Sequence, residues 1–143
     1  VAPATDFAVL GPSFAADGTG AADGAGGQRA QIVARARAAL ARPPAPLPRV
    51  HTEGTLPGHG IRDVSIAAKR DWPVALDLAL GWRLTRKRAF LHQAERYLVA
   101  WASIYRSDFN PIDETGLDAM VMAYDLIEAD ASAATRARLD PFW

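Results

Sequence analysis

The chain has 143 residues, half of them apolar, with 16 basic and 16 acidic side chains and no cysteine. This length fits a single domain, and the absence of cysteine excludes a disulfide framework and a thiolate zinc site. A net charge of zero argues against nucleic-acid binding, which depends on clustered Lys and Arg, and no apolar run reaches the roughly 20 residues that span a bilayer.

The N-terminal part is poor in large apolar side chains. Residues 1–27 are rich in Ala, Gly and Asp, so we predict an irregular arm. Because the chain starts at Val1 with no Met and no targeting segment, we interpret it as a mature form or a piece of a longer protein. The domain proper is expected to span residues 28–143.

The first predicted helix covers residues 28–41. Its apolar side chains recur at helical spacing, and the Pro-rich run at 43–48 ends it because proline removes a backbone donor and fixes φ. These apolar positions are Ile32, Val33, Ala36, Ala39 and Leu40. The next stretch, Val50–Ser65, contains three Gly and two of the three His, and we predict a loop for all of it.

Two further helices are expected to form a hairpin. Asp71–Thr85 has almost no polar face, which predicts a helix buried nearly all round, with Asp71 as its cap and Pro73 in its first turn. A short basic connector leads to a helix over about Ala89–Arg106, and short connectors join antiparallel neighbours.

The C-terminal third continues the helical pattern. A polar loop over Ser107–Gly116 ends in a capping-box spacing, Thr115 with Asp118, and a helix follows from about Leu117. A last helix begins near Ser132, and we expect it to continue through Trp143, because a chain seldom stops on a large aromatic. No segment alternates with period two, so the predicted class is all-α.

The loop from Val50 concentrates imidazole and positive charge that the zero net charge conceals. We predict that His51, His59 and Arg62 donate hydrogen bonds to a polar or anionic ligand, since the loop glycines allow close backbone approach. Two alternatives stay open. The first is a metal-dependent hydrolase that uses His51, Glu53 and His59, although their spacing is not that of a helical metal motif. The second is a structural loop whose polar groups hydrogen-bond within its own turns.

Three other features have a structural and a functional interpretation. Trp72 is either a packing residue or a sugar-stacking platform at the rim of a cleft. Asn110 and Asp113 are either turn residues that bond their own backbone or substrate contacts. His92, on the polar side of its helix, is interpreted as solvated.

These strings together resemble a known family. His51–Asp63, Lys69–Thr85 and Tyr97–Leu126, with DWP, FNPIDET and AYDL in that order, are similar to the N-terminal half of the alginate lyase family of bacterial polysaccharide lyases. The resemblance covers roughly residues 50–143. It implies helical hairpins that form part of an (α/α) toroid, a periplasmic or secreted location, and β-elimination on an acidic polyuronate.

The resemblance also says where chemistry is expected. The neutralising Asn-His pair and the Arg and Tyr of the reaction centre lie in helices beyond Trp143, so no catalytic residue is assigned to this chain, which we expect to be inactive without its C-terminal remainder. His51, His59, Arg62 and Trp72 are the expected substrate-binding residues, with no cofactor, metal, membrane or nucleic acid involved. The alternative function is a non-catalytic polysaccharide-binding or helical scaffold protein.

Overall fold

The computed structural model describes residues 24–143. All of the secondary-structure elements in this range are helices, and there is no strand among them. The helices are α1 (Gly24–Ala39), α2 (Gly60–Lys69), α3 (Asp71–Thr85), α4 (Arg88–Ile104), α5 (Asp118–Ile127) and α6 (Ala133–Leu139), and a 3₁₀ turn, Glu128–Asp130, separates the last two. The all-α prediction is confirmed. The predicted arm lies outside the described residues except for Gly24–Gly27, which belong to α1.

Helix α3 is the centre of the fold. Helices α1, α4 and α5 all pack against it, which confirms that its apolar circumference is buried nearly all round. Helices α1 and α3 approach each other closely at Gly81, where an added Cβ would lie 2.7 Å from the Cβ of Ala36. The toroid arrangement stays a prediction.

The hairpin of α3 and α4 depends on a two-residue connector, Arg86 and Lys87. Arg86 has a φ of 57°, and its backbone N–H donates to the carbonyl of Trp82 at 2.7 Å, which ends α3 in the left-handed conformation. Helix α4 then buries the predicted stripe. Its members are Leu91, Ala94, Leu98, Trp101 and Tyr105.

Asp71 is not a helix cap. It lies inside α3 and is fully buried, where its Oδ2 accepts from the backbone N–H of Ala45 at 2.7 Å and from Nε1 of Trp101 at 2.8 Å. Its Oδ1 accepts from the guanidinium of Arg42 at 2.9 Å. Asp71 therefore fixes the Pro-rich segment and α4 to the start of α3.

Helix α2 was not predicted. Its inward face consists of Ser65 and Ala68, whereas Ile61 and Val64 are exposed, so the apolar side chains do not mark a buried face. The sequence therefore reads as a glycine-rich loop up to Ser65, although the helix begins at Gly60.

Two of the predicted helix boundaries need correction. Thr115 and Asp118 do not form a capping box, because the Thr115 hydroxyl donates to the carbonyl of Pro111 at 2.9 Å. Helix α5 follows a turn, and backbone carbonyls of that turn accept from the first N–H groups of the helix. Ser132 does cap α6, accepting from the backbone N–H of Thr135 at 3.1 Å, but the helix ends at Leu139 and does not continue to Trp143.

Candidate functional site

The buried carboxylate of Asp113 joins the two polar loops. Its side chain is 1% exposed, and Oδ1 accepts from the backbone N–H of Thr52 at 2.6 Å, from that of Glu53 at 2.8 Å and from the Thr52 hydroxyl at 3.1 Å. The other oxygen, Oδ2, lies 3.0 Å from Nδ1 of His51. Thr52 and Asp113 are 61 positions apart in the chain, so this contact brings together segments that no local pattern connects.

The hydrogen bonds keep Asp113 ionised. Burial alone raises the pKa of this carboxyl, but the donors from Thr52, Glu53 and His51 outweigh burial and hold the pKa well below its usual range. A buried carboxylate with this many donors is a fixed acceptor.

His51 is the exposed partner of this carboxylate. Its side chain is 43% exposed, while its backbone N–H donates to the buried hydroxyl oxygen of Ser65 at 2.9 Å. Within residues 24–143 the second ring nitrogen, Nε2, has no hydrogen-bond partner. The ring is therefore anchored through its backbone and Nδ1, and Nε2 is left for a ligand.

Asn110 shapes the second loop. Its Oδ1 accepts from the backbone N–H groups of Ile112 at 2.9 Å and Asp113 at 3.2 Å, which confirms its predicted role as a turn residue. Its side-chain amide donates to the carboxylate of Glu53. The same prediction was wrong for Asp113, whose side chain bonds the distant loop because that loop presents two converging backbone N–H groups.

Lys69 and Trp72 lie beneath this site. The Lys69 ammonium donates to the backbone carbonyl of Asp113 at 2.7 Å and lies 5.1 Å from the centre of the Trp72 ring. Trp72 is 1% exposed and packs edge-on against Trp101, with ring centres 5.5 Å apart. The prediction that Trp72 offers a stacking face to a sugar is wrong, because its indole is enclosed by the core.

Tyr105 and Glu114 form a further hydrogen-bonded pair beside Asp113. The Tyr105 hydroxyl donates to Glu114 Oε1 at 2.7 Å, and burial together with this carboxylate raises the pKa of Tyr105 far above its usual value. Glu114 and Lys69 were not identified from the sequence. Glu114 had a signal in its position beside Asp113, whereas nothing local marks Lys69.

Arg62 supports the loop that carries His51. Its Nη1 donates to the carbonyls of Thr52 at 3.2 Å and Thr55 at 3.3 Å. Within the part of the chain that the structure describes, the guanidinium's remaining N–H groups have no hydrogen-bond partner. Thr52 thus links Arg62 to Asp113 and His51.

His59 does not join this group. It is the exposed residue before α2 and makes no side-chain cap bond there. The structure therefore brings together two of the three loop residues predicted to contact a ligand, His51 and Arg62.

The charge of the folded site is mixed. The carboxylates of Glu53, Asp113 and Glu114 lie among the cations, a balance that the loop sequence alone does not reveal. Each of these carboxylates already accepts from a protein donor. Arg62 bonds the protein through Nη1 alone, whereas the Lys69 ammonium donates to the backbone carbonyl of Asp113.

Within residues 24–143, no group of three or more His, Cys, Asp or Glu side chains is arranged to hold a metal ion. The same residues contain no helix long and apolar enough to cross a membrane.

Comparisons with protein-family models, with curated proteins and with solved structures found no match to this chain.

Proposed function

We propose that this chain forms part of the substrate cleft of a polysaccharide lyase that acts on an acidic polyuronate such as alginate. One observation carries the proposal. The two strings at the centre of the family resemblance, His51–Glu53 and Asn110–Glu114, meet around Asp113 although they are about 60 residues apart. Their meeting leaves a half-exposed imidazole, His51, beside Arg62 of α2, which bonds the His51 loop through Nη1.

The chemistry of a polyuronate suits this mixture of groups. Each sugar ring presents one carboxylate and neighbouring hydroxyls, so a binding site needs a cation as well as neutral hydrogen-bonding groups. Arg62 serves the carboxylate through its unengaged N–H groups, and His51 contacts the ring. Because polyuronates are extracellular polymers, the proposal includes a periplasmic or secreted location.

The reaction itself requires more than these residues. In β-elimination the uronate carboxylate is neutralised, a base removes the C5 proton, and an acid protonates the leaving glycosidic oxygen. The resemblance assigns these steps to groups beyond Trp143. Polymer binding is therefore the property proposed for the residues described here, with the C-terminal remainder as partner in catalysis.

Alanine replacement of His51 and of Arg62 tests the proposal. Affinity for alginate oligosaccharides is measured by calorimetry, and lyase activity by the ultraviolet absorbance of the unsaturated uronate product. A charge-assisted hydrogen bond contributes about 1.5 to 3 kcal/mol, so R62A is expected to weaken binding roughly tenfold to hundredfold. H51A is expected to weaken it by about tenfold.

Matched controls are available on other helices. His92 and Arg37 are exposed residues of α4 and α1, and their alanine variants are expected to bind as the wild type does. If H51A and R62A stay within about twofold of wild type, the assignment is refuted. If the protein together with its C-terminal remainder binds alginate but gives no ultraviolet product, the non-catalytic polysaccharide-binding protein is favoured instead.

A further inference from the structure

The two oxygens of Asp113 have different partners, and this difference determines the chemistry of His51. Oδ1 accepts three hydrogen bonds from Thr52 and Glu53, whereas Oδ2 is 3.0 Å from Nδ1 of His51. A carboxylate is an acceptor only, so Nδ1 must carry the hydrogen. A neutral imidazole has one N–H, which leaves Nε2 with a lone pair.

We infer that Asp113 holds the neutral form of His51 in the Nδ1–H tautomer, so that Nε2 of that form accepts a hydrogen bond from a hydroxyl of the bound sugar. His51 contacts the ligand in this arrangement, and Asp113 is a positioning residue that acts through it. The inference rests on the proposed function for its ligand, because the sugar is the one that the site is proposed to bind. The tautomer itself is a property of the free protein.

The surroundings of His51 restrict the ring further. Its backbone N–H is fixed to Ser65, and the charged residues around the pair include Glu53, Arg62, Lys69, Asp108 and Glu114. None of these gives Nε2 a hydrogen-bond partner within the described residues. The ring therefore keeps its orientation before any ligand arrives.

This tautomer divides the work of the site between two residues. A neutral Nε2 has no hydrogen to donate, so it does not pair with a uronate carboxylate and instead suits a hydroxyl donor. The carboxylate is left to Arg62 of α2, which bonds the His51 loop through Nη1 and whose other N–H groups have no partner among the described residues. The sequence had predicted His51 and Arg62 as donors of one kind, and the geometry gives them opposite roles.

Long-range ¹H–¹⁵N correlation spectra of the labelled protein test the tautomer directly. At about pH 9, where imidazoles are neutral, His51 is expected to show a protonated Nδ1 and an unprotonated Nε2. His59 and His92, both exposed, serve as internal references. A spectrum that shows the proton of His51 on Nε2 overturns the inference.

The variant Asp113→Asn tests the positioning role. The three donors around the position of Oδ1 require an acceptor there, so the oxygen of the new side-chain amide takes that position. The amide NH₂ then faces Nδ1 of His51. The neutral imidazole must then accept at Nδ1 and carry its hydrogen on Nε2. D113N is expected to reverse the tautomer and to weaken oligosaccharide binding about tenfold.

Thr52→Ala is the matched control. It removes the hydroxyl donor to Oδ1 but leaves both backbone donors and the contact with His51, so the tautomer should not change. If D113N keeps the wild-type tautomer, or reverses it with binding unchanged, the positioning role is refuted. Should D113N not fold, the wild-type spectrum still decides the tautomer.

Adding an alginate oligosaccharide to the labelled wild type tests the ligand contact. The Nε2 resonance of His51 is expected to shift, and those of His59 and His92 to stay in place. If the oligosaccharide binds and Nε2 does not respond, the inference fails while the proposed function survives. If it does not bind at all, the proposed function fails, and the ligand assigned to Nε2 fails with it.

Discussion

Replacing Asp71 with alanine tests whether this side chain acts as a buried anchor or as a helix cap. The variant leaves the buried Nε1 of Trp101 without an acceptor, and it also removes the acceptor of the backbone N–H of Ala45, an exposed residue that water reaches. A buried donor left unpaired costs about 1 to 3 kcal/mol, and a donor that water reaches costs less. Arg42 is about a third exposed on its side chain, so the loss of its ion pair adds little. The expected loss of stability is about 2 to 4 kcal/mol, whereas loss of a cap costs about 1 kcal/mol.

Urea unfolding followed by circular dichroism measures this difference. Asp77→Ala is the matched control, because Asp77 is also on α3 and pairs with an arginine, Arg35, but is itself only partly buried and has a partner that is half exposed. The expected cost of D77A is about 0 to 1 kcal/mol. A loss for D71A below about 2 kcal/mol would refute the anchor. If D71A does not fold, Asp71→Asn, which keeps one acceptor, is expected to show an intermediate loss.

Two further predictions concern pH and packing. The pKa of Asp113 is lower in the folded than in the unfolded chain, so its ionisation stabilises the fold at neutral pH, and this contribution disappears as pH falls below about 4 and through the folded value. Urea unfolding should therefore show the stability difference between wild type and D113N shrinking from pH 7 to pH 3, and a constant difference would contradict this. Gly81→Ala places a methyl group 2.7 Å from the Cβ of Ala36 and 3.3 Å from Phe90, and it is expected to cost about 1 to 3 kcal/mol although alanine favours helices. Gly26→Ala, in open space on α1, is expected to stabilise by up to about 1 kcal/mol in the same assay, and equal effects of the two variants would refute the packing argument.

Local sequence patterns predicted the central helices well. Helix α3 is found over the predicted range, Asp71–Thr85. Its long apolar run has Pro73 in the first turn, where a helix tolerates proline, and is followed by a short basic connector, a pattern that strongly favours a helix. Helix α2 escaped prediction because small residues, Ser65 and Ala68, form its buried face. Hydrophobic periodicity detects large apolar side chains that face the core, and α2 has none there.

The site was predictable only in part, for a different reason. His51 and Arg62 were found from their residue types in a glycine-rich loop. The roles of Asp71 and Asp113 were missed because each has a reasonable local role, as cap or turn residue, while its actual partners lie 26 to 62 positions away. Of the two interpretations of Trp72, the sequence could not exclude the cleft rim for the same reason, since its burial depends on Trp101 of α4.

The bond between Thr52 and Asp113 closes a loop of chain that contains α2, α3 and α4. Bringing the ends of so long a segment together costs conformational entropy of the chain. This contact is therefore expected to form late in folding, after the helices between its ends have assembled. The binding groups then exist only in molecules whose helical hairpin is already assembled. A ligand bound at the Thr52–Asp113 contact would thus stabilise the whole segment between these two residues. Hydrogen exchange at the Thr52 and Glu53 amides would report the opening of the hairpin.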